Sequence, residues 1–182
     1  MSAGDSRIKG KVALITGSSS GTGAEIARVF GRMGAPVAVH CRSNVAAAEQ
    51  VAAEIRRAGH SATAFRADLG IAAETRLLAA EVTRQLGTVS ILVNNAGPFA
   101  GTPFLELKEQ EWDVVLAANL KAPFLLVQEM APAMMQHGWG RVINIGATSA
   151  LVRSHSVYGL AKAALIHLTE SLPSPARRWD GW

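Results

Sequence analysis

Short apolar runs alternate along the chain with longer stretches in which apolar residues recur at helical spacing. The first run, Val12–Ile15, is uninterrupted, as expected for a parallel strand that is covered on both faces. Similar runs predict four further strands, at 37–40, 62–65, 90–93 and 141–145. Helical spacing predicts one helix that begins near residue 24 and others over 46–58, 74–86, 109–136 and 156–171.

This alternation indicates the fold class. Strands separated by helices of roughly ten or more residues favour βαβ crossovers and therefore a parallel sheet. We predict a doubly wound parallel sheet in three α/β/α layers, which forms one domain over residues 1–172. Residues 173–182 contain two prolines and no strand pattern, and we expect them to form an aberrant tail.

A glycine-rich turn follows the first strand and precedes the first helix. Gly17, Gly21 and Gly23 have G-x-x-x-G-x-G spacing. Glycines allow a tight turn and a close approach of the backbone to a pyrophosphate, and the helix N-terminus favours the phosphate charge. The strand-turn-helix context predicts dinucleotide binding, although an ordinary βα turn can also contain three glycines.

Composition excludes several classes of protein. The net charge of the 182 residues is only +4, and no basic patch is interleaved with aromatic residues, so we expect no nucleic-acid partner. No uninterrupted apolar run approaches the roughly 18 residues that span a bilayer, and the first residues are polar. We therefore expect no membrane association and a cytoplasmic location. Cys41 is the single cysteine, so an intrachain disulfide is impossible.

The end of the second strand indicates which dinucleotide is preferred. An acidic residue at this position would bind the ribose 2′-hydroxyl of NAD, but the sequence here is His40-Cys41-Arg42-Ser43. Arg42 can pair with a 2′-phosphate, and Ser43 can donate a hydrogen bond to it. The pattern favours NADP over NAD; the alternative is that Arg42 is a solvated loop residue.

Three further groups of residues end strands or share a helix face. Asp68 ends the third strand, where it is either an acceptor for the adenine amino group or a turn residue. Residues 94–97, Asn-Asn-Ala-Gly, follow the fourth strand at the edge where such sheets bind ligands. Tyr158 and Lys162 are four residues apart on a predicted helix, so they share a face. An ammonium beside a phenol favours the phenolate and suits it to general acid or base catalysis, although such pairs are often structural.

Together these motifs resemble the short-chain dehydrogenases/reductases over residues 8–172. The matching segments are residues 16–23 (TGSSSGTG), residues 94–97, Asn119 and the Tyr158-x-x-x-Lys162 pair. The resemblance implies a Rossmann fold and hydride transfer between a nicotinamide and a carbonyl or alcohol carbon. Within the family the chain is most similar to 3-oxoacyl-[acyl-carrier-protein] reductases, and the His40-x-Arg42-Ser43 ending also resembles pteridine reductases.

The resemblance also implies roles for individual residues. Tyr158 donates a proton to the carbonyl oxygen, Lys162 holds the nicotinamide ribose, and Asn119 bends the long helix locally and holds a water in a proton relay. The remaining positions implied to contact NADP(H) are Gly17, Ser18, Ser19, Ser20, Gly21 and Gly23 in the turn, Arg42 and Ser43 at the 2′-phosphate, Asp68 and Leu69 at the adenine, and Asn95, Ala96 and Gly97 at the centre.

The chain departs from the family pattern in three places. Thr22 stands where the family usually has isoleucine. The position of the usual catalytic serine holds Ala147, and the loop before Tyr158 is short, so Thr148 or, as we favour, Ser149 supplies the hydroxyl. The usual C-terminal strands are missing, and the last ten residues resemble frameshifted or unrelated coding.

The sequence therefore predicts an NADP-dependent reductase of a 3-oxoacyl or related ketone. Its substrate would be a small carbonyl compound, either free or linked to a carrier protein, for which a mild positive charge is suitable. The alternatives are a truncated, inactive family member and a non-catalytic Rossmann scaffold; a pteridine-like compound is the alternative substrate. The resemblance also implies a homo-oligomer that associates through the helices at 109–136 and 156–171.

Overall fold

The computed structural model describes residues 7–152 and 155–172, and the predicted tail at 173–182 lies outside these residues. Five strands form within them, and each predicted strand is confirmed to within one residue at either end. They are β1 (Val12–Ile15), β2 (Val37–Cys41), β3 (Ala62–Arg66), β4 (Val89–Asn94) and β5 (Arg141–Asn144).

The predicted helices are also confirmed. They are α1 (Gly21–Arg32), α2 (Val45–Arg57), α3 (Ala72–Leu86), α4 (Glu109–Leu116), α5 (Ala122–Gln136) and α6 (Val157–Ser171). Side-chain caps begin two of them: Asn44 accepts from the Ala47 N–H at 3.0 Å, and Ser156 accepts from the Gly159 N–H at 3.1 Å. Such caps satisfy amide groups that the first helical turn leaves unpaired.

All five strands are parallel, in the order β3-β2-β1-β4-β5. The order reverses between β1 and β4, and a sheet of this kind binds its ligands outside the carboxyl ends of the strands at that point. The chain therefore has the predicted Rossmann-type fold. Among the described residues, β5 pairs only with β4 and lies at one edge of the sheet.

Alternate residues of each strand enter two separate cores. Leu14 and Leu92 pack on one face of the sheet with Leu126 of α5. Ile15 packs on the other face with residues of α1 and α2, including Ile55. Burial on both faces explains why the strands read as uninterrupted apolar runs.

A short π-helical segment, Ala117–Lys121, joins α4 to α5, so that 109–136 is helical throughout, as predicted. Ala122 donates its N–H to the carbonyl of Ala117, five residues earlier. Pro123 has no N–H to donate to the carbonyl of Asn119, so the ordinary α-helical pattern cannot continue at this point. A wide turn of this kind is frequent at functional sites.

The whole helical stretch Glu109–Gln136 is the one helix in the described chain that is long and apolar enough to cross a membrane, with a mean hydropathy of 1.3. It is not an uninterrupted apolar run, because polar residues occur within it without ending the helix. Half of the residues in its most apolar stretch are buried inside the domain, as in the core helix of a globular protein.

Candidate active site

A cleft of about 1180 Å³ lies at the carboxyl edge of the sheet, where the strand order reverses. The glycine-rich turn, the ends of β2, β3 and β4, and the helix around the π-helical segment form its walls. Of the predicted cofactor-binding residues, the following line it: Gly17, Ser19, Ser20, Arg42, Ser43, Asp68, Leu69, Asn95, Ala96 and Gly97.

Thr16 and Asn95 join the ends of β1 and β4. The backbone N–H groups of Asn95 and Ala96 both donate to Thr16 Oγ1 at 3.0 Å. Asn95 Nδ2 donates in return to the carbonyl oxygens of Thr16 and Gly17, at 2.9 and 3.2 Å. These bonds fix the two strand ends that flank the switch point.

The glycines of the turn allow close approach between backbone segments. Gly17 has a φ of +64°, and a Cβ there would lie 3.0 Å from the Cα of Ala96. A Cβ on Gly23 would lie 2.5 Å from both Asn95 Nδ2 and the Gly17 carbonyl oxygen, so a side chain would separate the turn from β4. Gly21 has a φ of +55° and starts α1.

Ser18 faces the interior of the domain and is fully buried. Its hydroxyl donates to the Ile15 carbonyl at 2.7 Å and accepts from the His40 N–H at 2.9 Å. The Ser18 N–H donates to the His40 carbonyl at 2.8 Å. The buried Ser18 and Gly23 therefore shape the turn from behind, the exposed Gly21 does not line the cleft, and the cleft wall itself is made by Gly17, Ser19 and Ser20.

Arg42 and Ser43 are exposed at one end of the cleft, directly after β2. Arg42 forms no ion pair with any residue that the structure describes, so its guanidinium is available to an anion. Asp68 follows β3, and its Oδ1 accepts from the Gly70 N–H at 2.8 Å. Both roles considered for Asp68 remain open, because it forms a turn and also lines the cleft.

Tyr158 and Lys162 share one face of α6, as their spacing predicts. Lys162 Nζ lies 5.6 Å from the centroid of the Tyr158 ring. The lysine side chain is 2% exposed, and its one hydrogen bond to a described residue goes to the Ile145 carbonyl at 2.9 Å. Burial lowers the pKa of Lys162. No carboxylate in the described chain pairs with this ammonium, and neither Tyr158 nor Lys162 is among the residues that line the cleft.

Asn119 lies at the centre of the π-helical segment and is fully buried. Its Nδ2 donates to the carbonyl oxygens of Pro98 and Val115, at 3.1 and 3.0 Å. Its Oδ1 is buried without a partner among the described residues. The amide is thus held in one orientation, with an acceptor left over.

The described part of the loop between β5 and α6 contains a 3₁₀ turn, Thr148–Ala150, which packs against α6. Ser149 Oγ is buried and has no hydrogen-bond partner among the described residues, whereas Thr148 is exposed. Ala147 precedes the turn in an extended conformation. Of the two hydroxyls predicted to replace the usual serine, that of Ser149 is the one enclosed by the fold.

Comparison with known proteins agrees with this geometry. The sequence model described as short chain dehydrogenase matches residues 11–180. The chain belongs to the short-chain dehydrogenase family. It is 35% identical over 179 residues to D-threitol dehydrogenase of Mycolicibacterium smegmatis, covering 97% of this chain and 67% of that protein. It is 36% identical over 163 residues to the 3-oxoacyl-[acyl-carrier-protein] reductase FabG of Staphylococcus aureus, covering 88% and 66%.

Solved structures of short-chain dehydrogenases share the fold. A metagenomic short-chain oxidoreductase in complex with NADP superimposes with a TM-score of 0.85 and 38% identity, covering 92% of this chain and 75% of that one. The chain spans about two thirds of the length of the curated relatives it matches.

Three residues in or beside the candidate site are not predicted from the sequence. Thr16 lies within a recognised motif, but its bonds to Asn95 and Ala96 were not foreseen. His40 belongs to the end of β2, which resembles that of pteridine reductases, but the hydrogen bonds of its side chain are not predicted from the sequence. Phe99 stands with its ring centroid 5.2 Å from that of Tyr158, in an edge-to-face arrangement, and is 75% exposed. An apolar residue directly after an Asn-Asn-Ala-Gly-Pro sequence was the available signal for Phe99.

Proposed function

We propose that this chain is an NADP(H)-dependent oxidoreductase that reduces a ketone of the 3-oxoacyl type to an alcohol. The observation that carries the proposal is the pair of Tyr158 and Lys162 on one face of α6, with the ammonium 5.6 Å from the phenol ring. The pair stands in a fold whose cleft lies at the switch point of a parallel sheet. The tyrosine supplies the acid, and the lysine charge stabilises the phenolate that remains.

The residues of the cleft fit a dinucleotide that carries a 2′-phosphate. Arg42 has no anionic partner in the described chain, and Ser43 stands beside it where the ribose of such a ligand lies. Lys162 is a buried ammonium with a single protein acceptor, so it retains N–H groups for ribose hydroxyls. The metagenomic relative was solved with NADP. When bound, the reduced nicotinamide supplies the hydride.

The chain's own residues then handle the proton and the orientation of the carbonyl. Tyr158 donates its hydroxyl proton to the carbonyl oxygen as the alcohol forms. Ser149 donates a hydrogen bond to the same oxygen, in place of the serine that Ala147 replaces. Asn119, fixed through Pro98 and Val115, offers its free Oδ1 as an acceptor on the path by which Tyr158 regains a proton.

Phe99 favours an apolar substituent next to the reacting carbonyl. Its exposed ring stands beside Tyr158 and contributes apolar surface, which stabilises an acyl chain by about 25 cal/mol per Å² buried. The hydroxyl groups of a polyol would lose water against the same ring without gaining a hydrogen bond. The named relatives include both a polyol dehydrogenase and a 3-oxoacyl reductase, and Phe99 supports the second class. A carrier-protein-linked acyl group is included in this proposal.

The test compares wild type with Tyr158→Phe. Oxidation of NADPH is followed with a 3-oxoacyl thioester, and reduction of NADP⁺ is followed with D-threitol. We expect wild type to turn over the thioester and Tyr158→Phe to bind NADPH normally while its turnover is lost. Undiminished turnover in Tyr158→Phe would remove the tyrosine from the mechanism. Saturable binding by wild type without turnover of either substrate would instead favour a non-catalytic scaffold.

Phe99→Ala tests the substrate class separately. Because the side chain is exposed, its removal should leave the fold intact and lower kcat/KM for the thioester. A larger loss with D-threitol would contradict the apolar-substituent proposal.

We further propose a homo-oligomer in the cytoplasm. Apolar side chains on the predicted association surface remain substantially exposed in the single chain, among them Met135 at 60% and Leu160 at 45%. An interface that buries them would remove apolar area from water. Light scattering of the purified chain measures its mass, and a monomeric mass at micromolar concentration would contradict this proposal.

A further inference from the structure

Both ring nitrogens of His40 are hydrogen-bonded, and they join two segments of the cleft. The Gly17 N–H donates to His40 Nδ1 at 3.0 Å, and His40 Nε2 lies 3.0 Å from the Ala67 carbonyl oxygen. Gly17 is the first glycine of the turn after β1, and Ala67 immediately precedes Asp68 after β3. The imidazole, 1% exposed, therefore spans from the glycine-rich turn to the end of β3.

These two bonds require one form of the ring. Since Nδ1 accepts from an N–H, it carries no proton, and Nε2 must carry the hydrogen that it donates to the Ala67 carbonyl. The ring is therefore neutral. Burial lowers the pKa of His40, while the nearby charge of Asp68 and the bond to Ala67 act in the opposite direction.

The backbone of His40 adds two bonds to the same turn. Its N–H donates to Ser18 Oγ at 2.9 Å, and its carbonyl accepts from the Ser18 N–H at 2.8 Å. These backbone bonds do not depend on the side chain at position 40. Among the described residues the ring is the acceptor for the Gly17 N–H, and substitutions at 40 can test that contribution separately.

We propose that His40 is a positioning residue for cofactor binding, whose neutral imidazole accepts from the Gly17 N–H and thereby keeps the glycine-rich turn in its binding conformation. The inference rests on the proposed binding of NADP(H) in this cleft. A turn that is ordered before the ligand arrives binds more tightly, because association no longer has to order it. The His40 ring bonds to Gly17 and Ala67 and not to Arg42 or Ser43, so its effect should be equal for NADP⁺ and NAD⁺.

Two substitutions separate the two ends of the ring. Asparagine has its amide oxygen at the position of Nδ1, so His40→Asn can still accept from the Gly17 N–H but cannot reach Ala67. Glutamine has its terminal amide at the position of Nε2, so His40→Gln can reach the Ala67 carbonyl but loses the acceptor for Gly17. The exposed His137 at the end of α5 provides the matched control, His137→Asn.

Dissociation constants for NADP⁺ and NAD⁺ are measured by calorimetry at neutral pH. We expect His40→Gln to weaken both ligands by about tenfold, as for the loss of one hydrogen bond, while His40→Asn stays within about threefold of wild type. Equal affinities for wild type and both variants would overturn the inference. A loss confined to NADP⁺ would also overturn it, because the effect would then lie at the 2′-phosphate.

Amide hydrogen exchange of the ligand-free protein gives a second readout. The Gly17 amide should exchange slowly in wild type and His40→Asn, and faster in His40→Gln; uniform protection in all three would contradict the inference. If wild type binds neither dinucleotide, the proposed function fails and this inference fails with it. If wild type binds and the variants do not differ, only the role of His40 is rejected.

Discussion

A side chain on Gly97 would occupy the position of the Asn119 amide oxygen. The asparagine cannot easily move away, because its Nδ2 is bonded to the carbonyl oxygens of Pro98 and Val115. Position 97, after β4, must therefore be glycine, because Asn119 of the π-helical segment lies against it. The two motifs are a single packing unit, although they are far apart in the sequence.

Gly97→Ala should consequently destabilise the domain. Inserting a methyl group into a closely packed site costs about 1–3 kcal/mol, and urea denaturation would measure this as a lower unfolding midpoint. Gly146→Ala is the control, because a Cβ there meets no atom within 4 Å. In an Asn119→Ala background the cost of Gly97→Ala should fall, and strictly additive effects would contradict the proposed clash.

Lys162→Met should abolish turnover while changing the stability of the domain only slightly. Methionine has a similar length and carries no charge, so the ligand-free variant should unfold within about 1 kcal/mol of wild type at neutral pH while turnover is lost. Burial lowers the pKa of Lys162, so the unfolded chain holds the proton at pH values where the folded chain has released it.

The stability of wild type relative to this variant should therefore rise with pH, through the window from the lowered pKa up to about 10.4. Denaturation of both proteins across this range measures the difference. A large loss of stability in Lys162→Met at neutral pH would show that the ammonium holds the fold together.

The fold could be predicted because its signals are local. Each buried strand is an uninterrupted apolar run such as Val12–Ile15, and each helix has its own spacing, so the element order follows without knowledge of contacts. The π-helical turn could not be derived from spacing, because Pro123 and Asn119 act together there.

Candidate site residues could be predicted where they belong to a sequence motif. They could not be predicted where their role depends on a hydrogen bond to a residue far away in the sequence. Thr16 and Asn95 are 79 residues apart. Nothing near Thr16 in the sequence indicates that its hydroxyl accepts from the backbone N–H that follows β4. The sequence around His40 indicates only that it belongs to a buried strand. Its role depends on Gly17 and Ala67, 23 and 27 residues away, which only the folded sheet brings together.

Ser149→Ala should lower turnover without destabilising the protein. The hydroxyl is buried without a partner among the described residues, so its removal relieves a desolvation cost and should leave the unfolding free energy unchanged or slightly higher. Loss of a donor to the carbonyl oxygen should reduce kcat by about 100-fold. Thr148→Ala, at the exposed neighbour, is the control. Equal activity of the two variants would remove Ser149 from the site.

Arg42→Ala should alter cofactor selectivity. A charge-assisted hydrogen bond contributes about 1.5–3 kcal/mol, so the Kd for NADPH should rise by roughly ten- to a hundredfold while that for NADH changes little. Arg57→Ala, which removes an equally charged and exposed side chain from α2, is the control for general electrostatics. Fluorescence titration of wild type and both variants measures the six dissociation constants, and equal losses for both cofactors in Arg42→Ala would reduce Arg42 to a general surface charge.

His40 should make the stability of the domain sensitive to acid. Because burial lowers the pKa of His40, the unfolded chain takes up a proton near pH 6.5 while the folded chain resists it. Stability from the neutral ring is thus fully present above about pH 6.5 and declines as the pH falls towards the lowered value. The free energy of unfolding of wild type should exceed that of His40→Asn at neutral pH, and this difference should shrink on acidification. Urea denaturation of both proteins over this range, with His137→Asn alongside, measures it; a difference that stays constant with pH would show that the ring does not titrate between the two states.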